Sequence, residues 1–262
     1  MQKVLHSKGY RVQILFTRNK VDKEEAILRK LIDSKDIHGL IIEPTKSALP
    51  KADYHIYEEI IEKGIPAIFF NSFYPGVNIP HVSINDELAG YMATKYLLEA
   101  GHKSIGGIFK SDDGQGHLRY KGYIRALKEA KLEINDERII WIDSDDQRNL
   151  LKDEKRIVRR LKSCTGCLCY NDGVASDLEI ICLQNNIKIP EELSLISIDN
   201  SDVAELCTVP LTSIIHPMKK LGRKVAENLL VLMNDKNFSA TYEFKPEIYQ
   251  RSSVARLQES ED

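Results

Sequence analysis

The sequence predicts an α/β protein built as two doubly wound parallel-sheet lobes. Short apolar runs alternate with amphipathic stretches along nearly all of the 262 residues, which is the pattern of successive strand–helix units. The apolar runs are continuous and not alternating, as strands covered on both faces require. About nine such runs with one long crossover suit two sheets better than one.

In order, RVQILF (11–16) reads as a strand, and KEEAILRKLIDS (23–34) as a helix with Ile27, Leu28, Leu31 and Ile32 on one face. GLIIEP (39–44) is the next strand, followed by helical YHIYEEIIEKG with Gly64 as its stop. AIFF (67–70) and HVSI (81–84) are strands, and ELAGYMATKYLLEAG repeats apolar residues at Leu88, Met92 and Tyr96 before closing on Gly101. The second half repeats the rhythm with strand SIGGIF (104–109), helix HLRYKGYIRALKEA (117–130), strand RIIWI (138–142) and helix KRIVRRLK (155–162). CLCY, the helix ASDLEIICLQNN and strand SLISI (194–198) follow. A last helix spans about 217–234, with Pro217 in its first turn and a stripe of Met218, Leu221, Val225, Leu229 and Leu232. TYEFKPEIYQRSS reads as a terminal strand and extension. The first lobe boundary is placed near 84–87.

Composition narrows the class. The formal net charge is −2 and no basic stripe stands out, unlike a module that grips DNA by itself. No apolar run approaches the roughly 20 residues of a membrane span. The opening MQKVLHSKGYRVQ lacks the apolar stretch of a signal peptide, so the cytoplasm is the expected compartment. Cys164 and Cys167 form a CxxC, but no second CxxC or histidine pair completes a metal site. The five cysteines are read as packing residues, with Cys182 on the apolar side of a helix and Cys207 in a loop.

The strand ends share a feature. RVQILF runs into Thr17-Arg18-Asn19, GLIIEP into Thr45-Lys46-Ser47, and AIFF into Asn71-Ser72. SIGGIF ends at Lys110-Ser111-Asp112-Asp113, CLCY at Asn171-Asp172 and SLISI at Asp199-Asn200. In an open parallel sheet, ligands bind in the crevice outside the carboxyl ends of the strands. Two facing sheets would line one cleft with amides, carboxylates, lysines and an arginine. That set suits a polyol, because Asn, Asp and the planar fork of Arg119 each meet neighbouring hydroxyls. Tyr170, Phe73 and Phe109 are candidates for the apolar side of a sugar ring. At any single strand end, Asn and Asp also serve as turn and capping residues; recurrence favours a shared site.

Enzymatic signatures are missing: neither GxGxxG before a helix nor GxxxxGK[ST], GxSxG or HExxH occurs. The glycines of GHKSIGG (101–107) precede a strand where phosphate binding needs them after it. Asp112-Asp113 is disfavoured as an acid–base or metal pair, since adjacent turn residues point apart. His102, His117 and His216 lack metal-ligand spacing and are read as solvated or capping residues. No catalytic residue, metal or cofactor is assigned. Two alternatives stay open on the residues alone: a solute-binding receptor, and an α/β enzyme acting on a sugar.

YLLEAGHKSIGGI (96–108), LRYKGYIRAL (118–127), CYNDGVA (169–175), IPEELSLISIDNSD (189–202) and VPLTSIIHPMKKLG (209–222) occur in this order. Together they resemble the effector-binding domain of LacI/GalR-type bacterial transcription regulators, related to periplasmic sugar-binding proteins. The likeness covers nearly all of residues 1–256. IIEPTKSALP (41–50) and IFKSDDGQG (108–116) draw it toward the arabinose-responsive branch, where a GntR-type winged helix is joined to such a sensor.

The resemblance implies the family's fold: a lobe of residues 1–84 plus 217–243, a second of 85–216 plus 244–256, and hinge crossings near 85, 216 and 244. It implies a small sugar effector, L-arabinose foremost, and no cofactor. Operator DNA would be reached through a domain outside this chain, in a homodimer. Arg119, in the RxxG of LRYKG, is implied to clamp the sugar. Asn171 would be the amide of the ND motif, with Asp172 capping the next helix. Asp199 would be the first acid after SLISI. Asn71 and Gln115 sit where polar ligand groups are usual, while Lys46 and Asp113 come from the arabinose-type loops. Arg119→Ala would then abolish sugar binding and leave the fold intact. Ser197 stands where the family has glycine. The family's opening strand is expected to be missing from residues 1–262.

Overall fold

The computed structural model describes residues 1–50 and 54–257. Its elements run α1 (Gln2–His6), α2 (Val21–Ile32), β1 (Leu40–Ile42), α3 (His55–Glu62), β2 (Ala67–Phe70), β3 (His81–Ile84), α4 (Asp86–Glu99), β4 (Ile105–Lys110), α5 (Gly114–Glu129) and β5 (Ile139–Ile142). Then come α6 (Ser144–Arg148), α7 (Glu154–Leu161), β6 (Gly166–Cys169), α8 (Asp172–Gln184), β7 (Ser194–Asp199), α9 (Asp202–Leu206), β8 (Thr212–Ile215), α10 (Met218–Leu232), β9 (Tyr242–Phe244) and β10 (Glu247–Tyr249). The chain divides into two compact units. One comprises Met1–Ile84, Asp112–Gly114 and Pro217–Phe244; the other holds Asn85–Ser111, Gln115–His216 and the chain from Lys245.

The first unit is a sheet of order β1-β2-β3-β9 with every ladder parallel. Leu28, Ile32, Ile56 and Ile60 pack on one face with an aromatic group of Tyr57, Phe69 and Tyr74. Leu221, Val225, Leu229 and Leu232 of α10 cover Ile68 and Val82 on the other. Four of the five stripe residues are thus buried, whereas Met218 is 58% exposed and starts the helix outside the core. The α10 surface also carries Lys219, Lys220, Arg223 and Lys224 around a shallow cavity of about 450 Å³ lined by Tyr242 and Phe244. That cation group was not apparent as a stripe along the sequence.

RVQILF is not a strand. Residues 11–16 join no ladder, and Ile14 and Phe16 are 64% and 77% exposed. The segment is tethered at its ends, where the Tyr10 ring meets His38 and Thr45 Oγ1 donates to Thr17 Oγ1 at 3.2 Å. Strand propensity is realised only against a partner backbone, and among the described residues β1 pairs with β2 alone.

The second unit is a six-stranded sheet of order β10-β8-β7-β6-β4-β5. All its pairs are parallel except β10–β8, which is antiparallel. The tail therefore supplies two strands, one to each sheet, and β8 adds a strand that the apolar-run reading passed over. The order reverses at β4, which lies between β5 and β6, so the switch point falls at the carboxyl ends of β4 and β6. Cys164, Cys167, Cys169 and Cys182 are buried in one cluster with Ile108, Ile140, Leu178 and Leu195. Burial pushes the Cys164 and Cys182 thiols up to about 12, which leaves them as packing residues.

The helix α4 buries a different face from the one its large residues suggest. Ala89, Gly90, Ala93, Thr94 and Leu97 face inward, while Leu88, Met92 and Tyr96 are only partly covered. The reason is the close approach of α5: a Cβ on Gly90 would lie 2.0 Å from the Arg119 carbonyl, and one on Gly122 would lie 2.0 Å from that of Glu87. No helix among the described residues is long and apolar enough to cross a membrane.

Candidate functional site

In the second unit the polar strand ends converge on one buried arginine. The helix α5 begins at Gly114, a turn earlier than the sequence suggests, and so takes in both Gln115 and Arg119. Arg119 is 1% exposed. Its Nε donates to Asp86 Oδ1 at 2.8 Å, its Nη1 donates to the Tyr170 carbonyl at 2.6 Å, and its Nη2 lies 3.9 Å from Asp199 Oδ1. Arg119 therefore spans the switch point, from the helix after β4 to the residue after β6. Burial alone would lower its pKa, but Asp86 foremost, with Tyr170 and Asp199, holds it above the ordinary value. Gln115 Nε2 sits 3.4 Å from the same Asp86 carboxylate.

Asn171, and not Asp172, supplies the helix cap. Asn171 caps α8, its Oδ1 accepting from Val174 N at 3.0 Å, and its amide NH2 remains available. Asp172 does not act as the cap. Its buried carboxylate accepts from Ser197 Oγ at 2.5 Å, Ser213 Oγ at 2.7 Å, Ser201 N at 2.7 Å and Ser201 Oγ at 2.8 Å. This hub fixes the turn after β7, where Asp199 and Asn200 take φ values of 121° and 48°. Asn200 N donates to Ser213 Oγ at 3.0 Å, and His216 N donates to the Asp199 carbonyl at 3.1 Å.

The first unit gathers its own strand ends. Lys46 and Asn71 also adopt positive φ, 48° and 61°. Lys46 N donates to Asn19 Oδ1 at 3.0 Å, and Asn71 Nδ2 donates to Glu43 Oε1 at 2.8 Å. Beside them Ser47 Oγ bonds Ser72 Oγ at 2.8 Å and accepts from Gly114 N at 2.9 Å, while Asn19 Nδ2 donates to Asp112 Oδ2 at 3.0 Å. Asp113 belongs to this short segment and lies at the same edge. Side chains at glycine-favouring φ are costly and persist where the surroundings over-determine them. Asn71, Asp199 and Asn200 end or directly follow strands, and Lys46 lies four residues after β1.

Several side chains are placed otherwise than expected. Phe109 is fully buried against Tyr120, Tyr123 and Trp141, so it serves the core. Tyr170 is 6% exposed, with the Arg119 guanidinium 4.7 Å from its ring centre, and Phe73 stacks on His81 at 3.9 Å. His102 and His216 are 1% and 6% exposed, not solvated. The His102 ring bonds Thr165 Oγ1 and the Ala255 carbonyl. Burial first, then Arg119, pushes His216 down to about 4. Only His117 is exposed as expected, bonding the Ser111 carbonyl.

Sequence reasoning missed Asp86, the Asp172 hub and His216. The signal for Asp86 was present: HVSI ends in Asn85-Asp86 like the other strands, but that position was read as a lobe boundary. Asn85 Oδ1 caps α4 by accepting from Leu88 N at 2.8 Å, and Asp86 turns to Arg119. What the edge offers is a set of fixed hydrogen-bonding groups. Among the described residues no group of three or more His, Cys, Asp or Glu is placed to hold a metal ion.

Comparison with known proteins bears on this geometry. Residues 94–254 match the family described as periplasmic binding protein-like domain. An arabinose metabolism transcriptional repressor from Halalkalibacterium halodurans is 34% identical, over 97% of this chain and 70% of that one. A protein of the same description from Geobacillus stearothermophilus is 30% identical, over 98% and 71%. Among solved structures, the transcription regulator CcpA of Lactococcus lactis superposes with a TM-score of 0.84 at 25% identity, covering 96% of this chain and 90% of that one.

Proposed function

This chain belongs to the periplasmic binding protein-like family, among the LacI-type transcriptional regulators, and from that premise we propose that it senses L-arabinose for a repressor. Its relatives are transcriptional repressors and not enzymes, which also sets aside a solute-receptor reading. The observation that carries the proposal is Arg119, buried at the switch point between Asp86 and the Tyr170 carbonyl, with Nη2 3.9 Å from Asp199 Oδ1. An arginine held in that way offers a fixed fork to neighbouring hydroxyls.

In this reading Arg119, Asn171, Asp199, Gln115, Lys46, Asn71 and Asp113 hold the sugar. The lobes are residues 1–84 with 217–243 and 85–216 with 244–256. Sugar favours one lobe arrangement, and in a homodimer this changes how operator DNA is met by a domain outside residues 1–262. The protein acts in the cytoplasm, where its operator is. Linkage requires that operator weaken sugar binding by the factor by which sugar weakens operator binding. The test is operator retention by the full-length regulator with and without saturating L-arabinose. Release by the sugar is expected; equal affinity in both conditions would reject the proposal.

A further inference from the structure

We infer that the exposed face at the start of α10 binds a small molecule bearing a diphosphate group. None of the residues assigned to the effector lines this site, so the inference stands or falls apart from the sugar-sensing reading.

Lys219, Lys220, Arg223 and Lys224 surround a cavity of about 450 Å³ whose other walls are Glu227, Tyr242 and Phe244. Lys219, Lys220 and Arg223 are exposed, and Lys224 is half-buried with its Nζ 5.1 Å from the Tyr242 ring centre. The Tyr242 and Phe244 rings meet edge to face at 4.8 Å, which makes that wall apolar. Among the described residues none of the four cations is held in a salt bridge. Like charges gathered beside a wall of low polarity raise the local attraction for an anion.

Helix stability does not account for the row. Lys219 with Arg223 and Lys220 with Lys224 are like charges four residues apart, which repel on a helix surface. Lys219 and Lys220 also stand in the opening turn, where the helix dipole favours anions. The helices α2, α4 and α8 follow that preference with Asp22 and Glu24, Asp86 and Glu87, and Asp172. In contrast, α10 has no acidic residue in its first turn and no side-chain cap. A bound anion removes the repulsion and meets the dipole at once.

Charge and extent set the class. Four cations against the carboxylate of Glu227 leave three positive charges around the cavity. A single phosphate brings about 1.5 to 2 negative charges at pH 7 and under-neutralises them, whereas two linked phosphates match them. The row covers about 7.5 Å of helix axis and ends at Glu227. That is short for a nucleic acid, whose binding surfaces meet about 6–10 phosphates.

Titration calorimetry of this chain with pyrophosphate, orthophosphate and ADP tests the inference. Pyrophosphate is expected to bind about tenfold more tightly than orthophosphate, equivalent to about 1.4 kcal/mol, and more weakly as salt is raised. Lys219→Gln combined with Arg223→Gln should weaken pyrophosphate binding about tenfold without lowering the thermal midpoint, since a repulsive pair is lost. Lys155→Gln combined with Arg159→Gln, an exposed pair on α7, should leave that binding unchanged. ADP carries the same group on a nucleoside and separates the sources. Binding tighter than that of pyrophosphate assigns the ligand to the nucleotides, and weaker binding assigns it to free pyrophosphate; either keeps the diphosphate class. No binding of pyrophosphate or ADP by wild type, equal binding of pyrophosphate and orthophosphate, or equal losses in the α10 and α7 variants overturns the inference.

Discussion

Arg119 Nε and Asp86 Oδ1 lie 2.8 Å apart, with both side chains 2% exposed. A pair so buried is a structural element as well as a binding group. Truncating one partner leaves the other charge unmatched in the interior, at a cost of about 3–5 kcal/mol. Arg119→Ala should therefore lower stability by roughly that amount as well as abolish effector binding, contrary to the expectation of an intact fold. Denaturant midpoints of Arg119→Ala and Asp86→Ala measure this, and a wild-type midpoint in either would refute it.

The buried histidines make a pH prediction. Burial lowers the pKa of His216 to about 4, with Arg119 acting in the same sense, and lowers those of His102 and His81 as the first cause in each. The unfolded chain then takes up protons that the folded protein refuses. The contribution to stability is fully present above the unfolded value of 6.5 and is lost as pH falls toward 4. His216 alone should remove about 2 kcal/mol by pH 5. Stability of wild type and His216→Gln compared at pH 7 and pH 5 should show a smaller acid loss in the variant.

Asp172 organises the Asp199 turn through four donors, three of them side-chain or backbone groups of Ser197 and Ser201. Asp172→Ala strands these donors and should cost about 3 kcal/mol or more, since hydrogen bonds to a charged group exceed neutral ones. It should also weaken effector binding, because Asp199 and Asn200 lose their fixed φ. Ser197→Gly removes a single donor and should cost only about 1–2 kcal/mol. Denaturation of the two variants orders them, and equal losses would contradict the hub.

How much of this was legible beforehand depends on the kind of signal. The second sheet was readable because SIGGIF, RIIWI, CLCY and SLISI are apolar on both faces and find partners wherever the sheet forms. RVQILF has the same composition but no ladder, since pairing is a property of two segments. Arg119, Asn171 and Asp199 lie in local motifs, so the sequence alone is enough to put them forward as candidates. Asp172 and Asp86 escaped because their partners are 25 to 41 and 33 residues away in sequence. His216 was misassigned because burial of a lone histidine leaves no periodic trace. The inward face of α4 escaped because small residues mark close approach, which hydrophobicity does not record.

That close approach is itself testable. Gly90→Ala would place its Cβ 2.0 Å from the Arg119 carbonyl oxygen, so α4 and α5 must separate. Overpacking of this kind costs about 1–3 kcal/mol or more. The variant should lose stability and effector affinity together, because α5 carries Arg119. Paired denaturation and calorimetry would show it, and a variant with wild-type values for both would refute the packing role.

The most direct measurement is thermal unfolding of this chain with L-arabinose, D-ribose, D-xylose, D-galactose and a purine control. Ligand at about 100 times its dissociation constant adds roughly 2.7 kcal/mol, an upward shift of about 5 °C or more for a protein of this size. Sugar sensing predicts such a shift with L-arabinose and none with the purine. A cooperative transition that moves with the purine alone, or with none of the sugars, would contradict it.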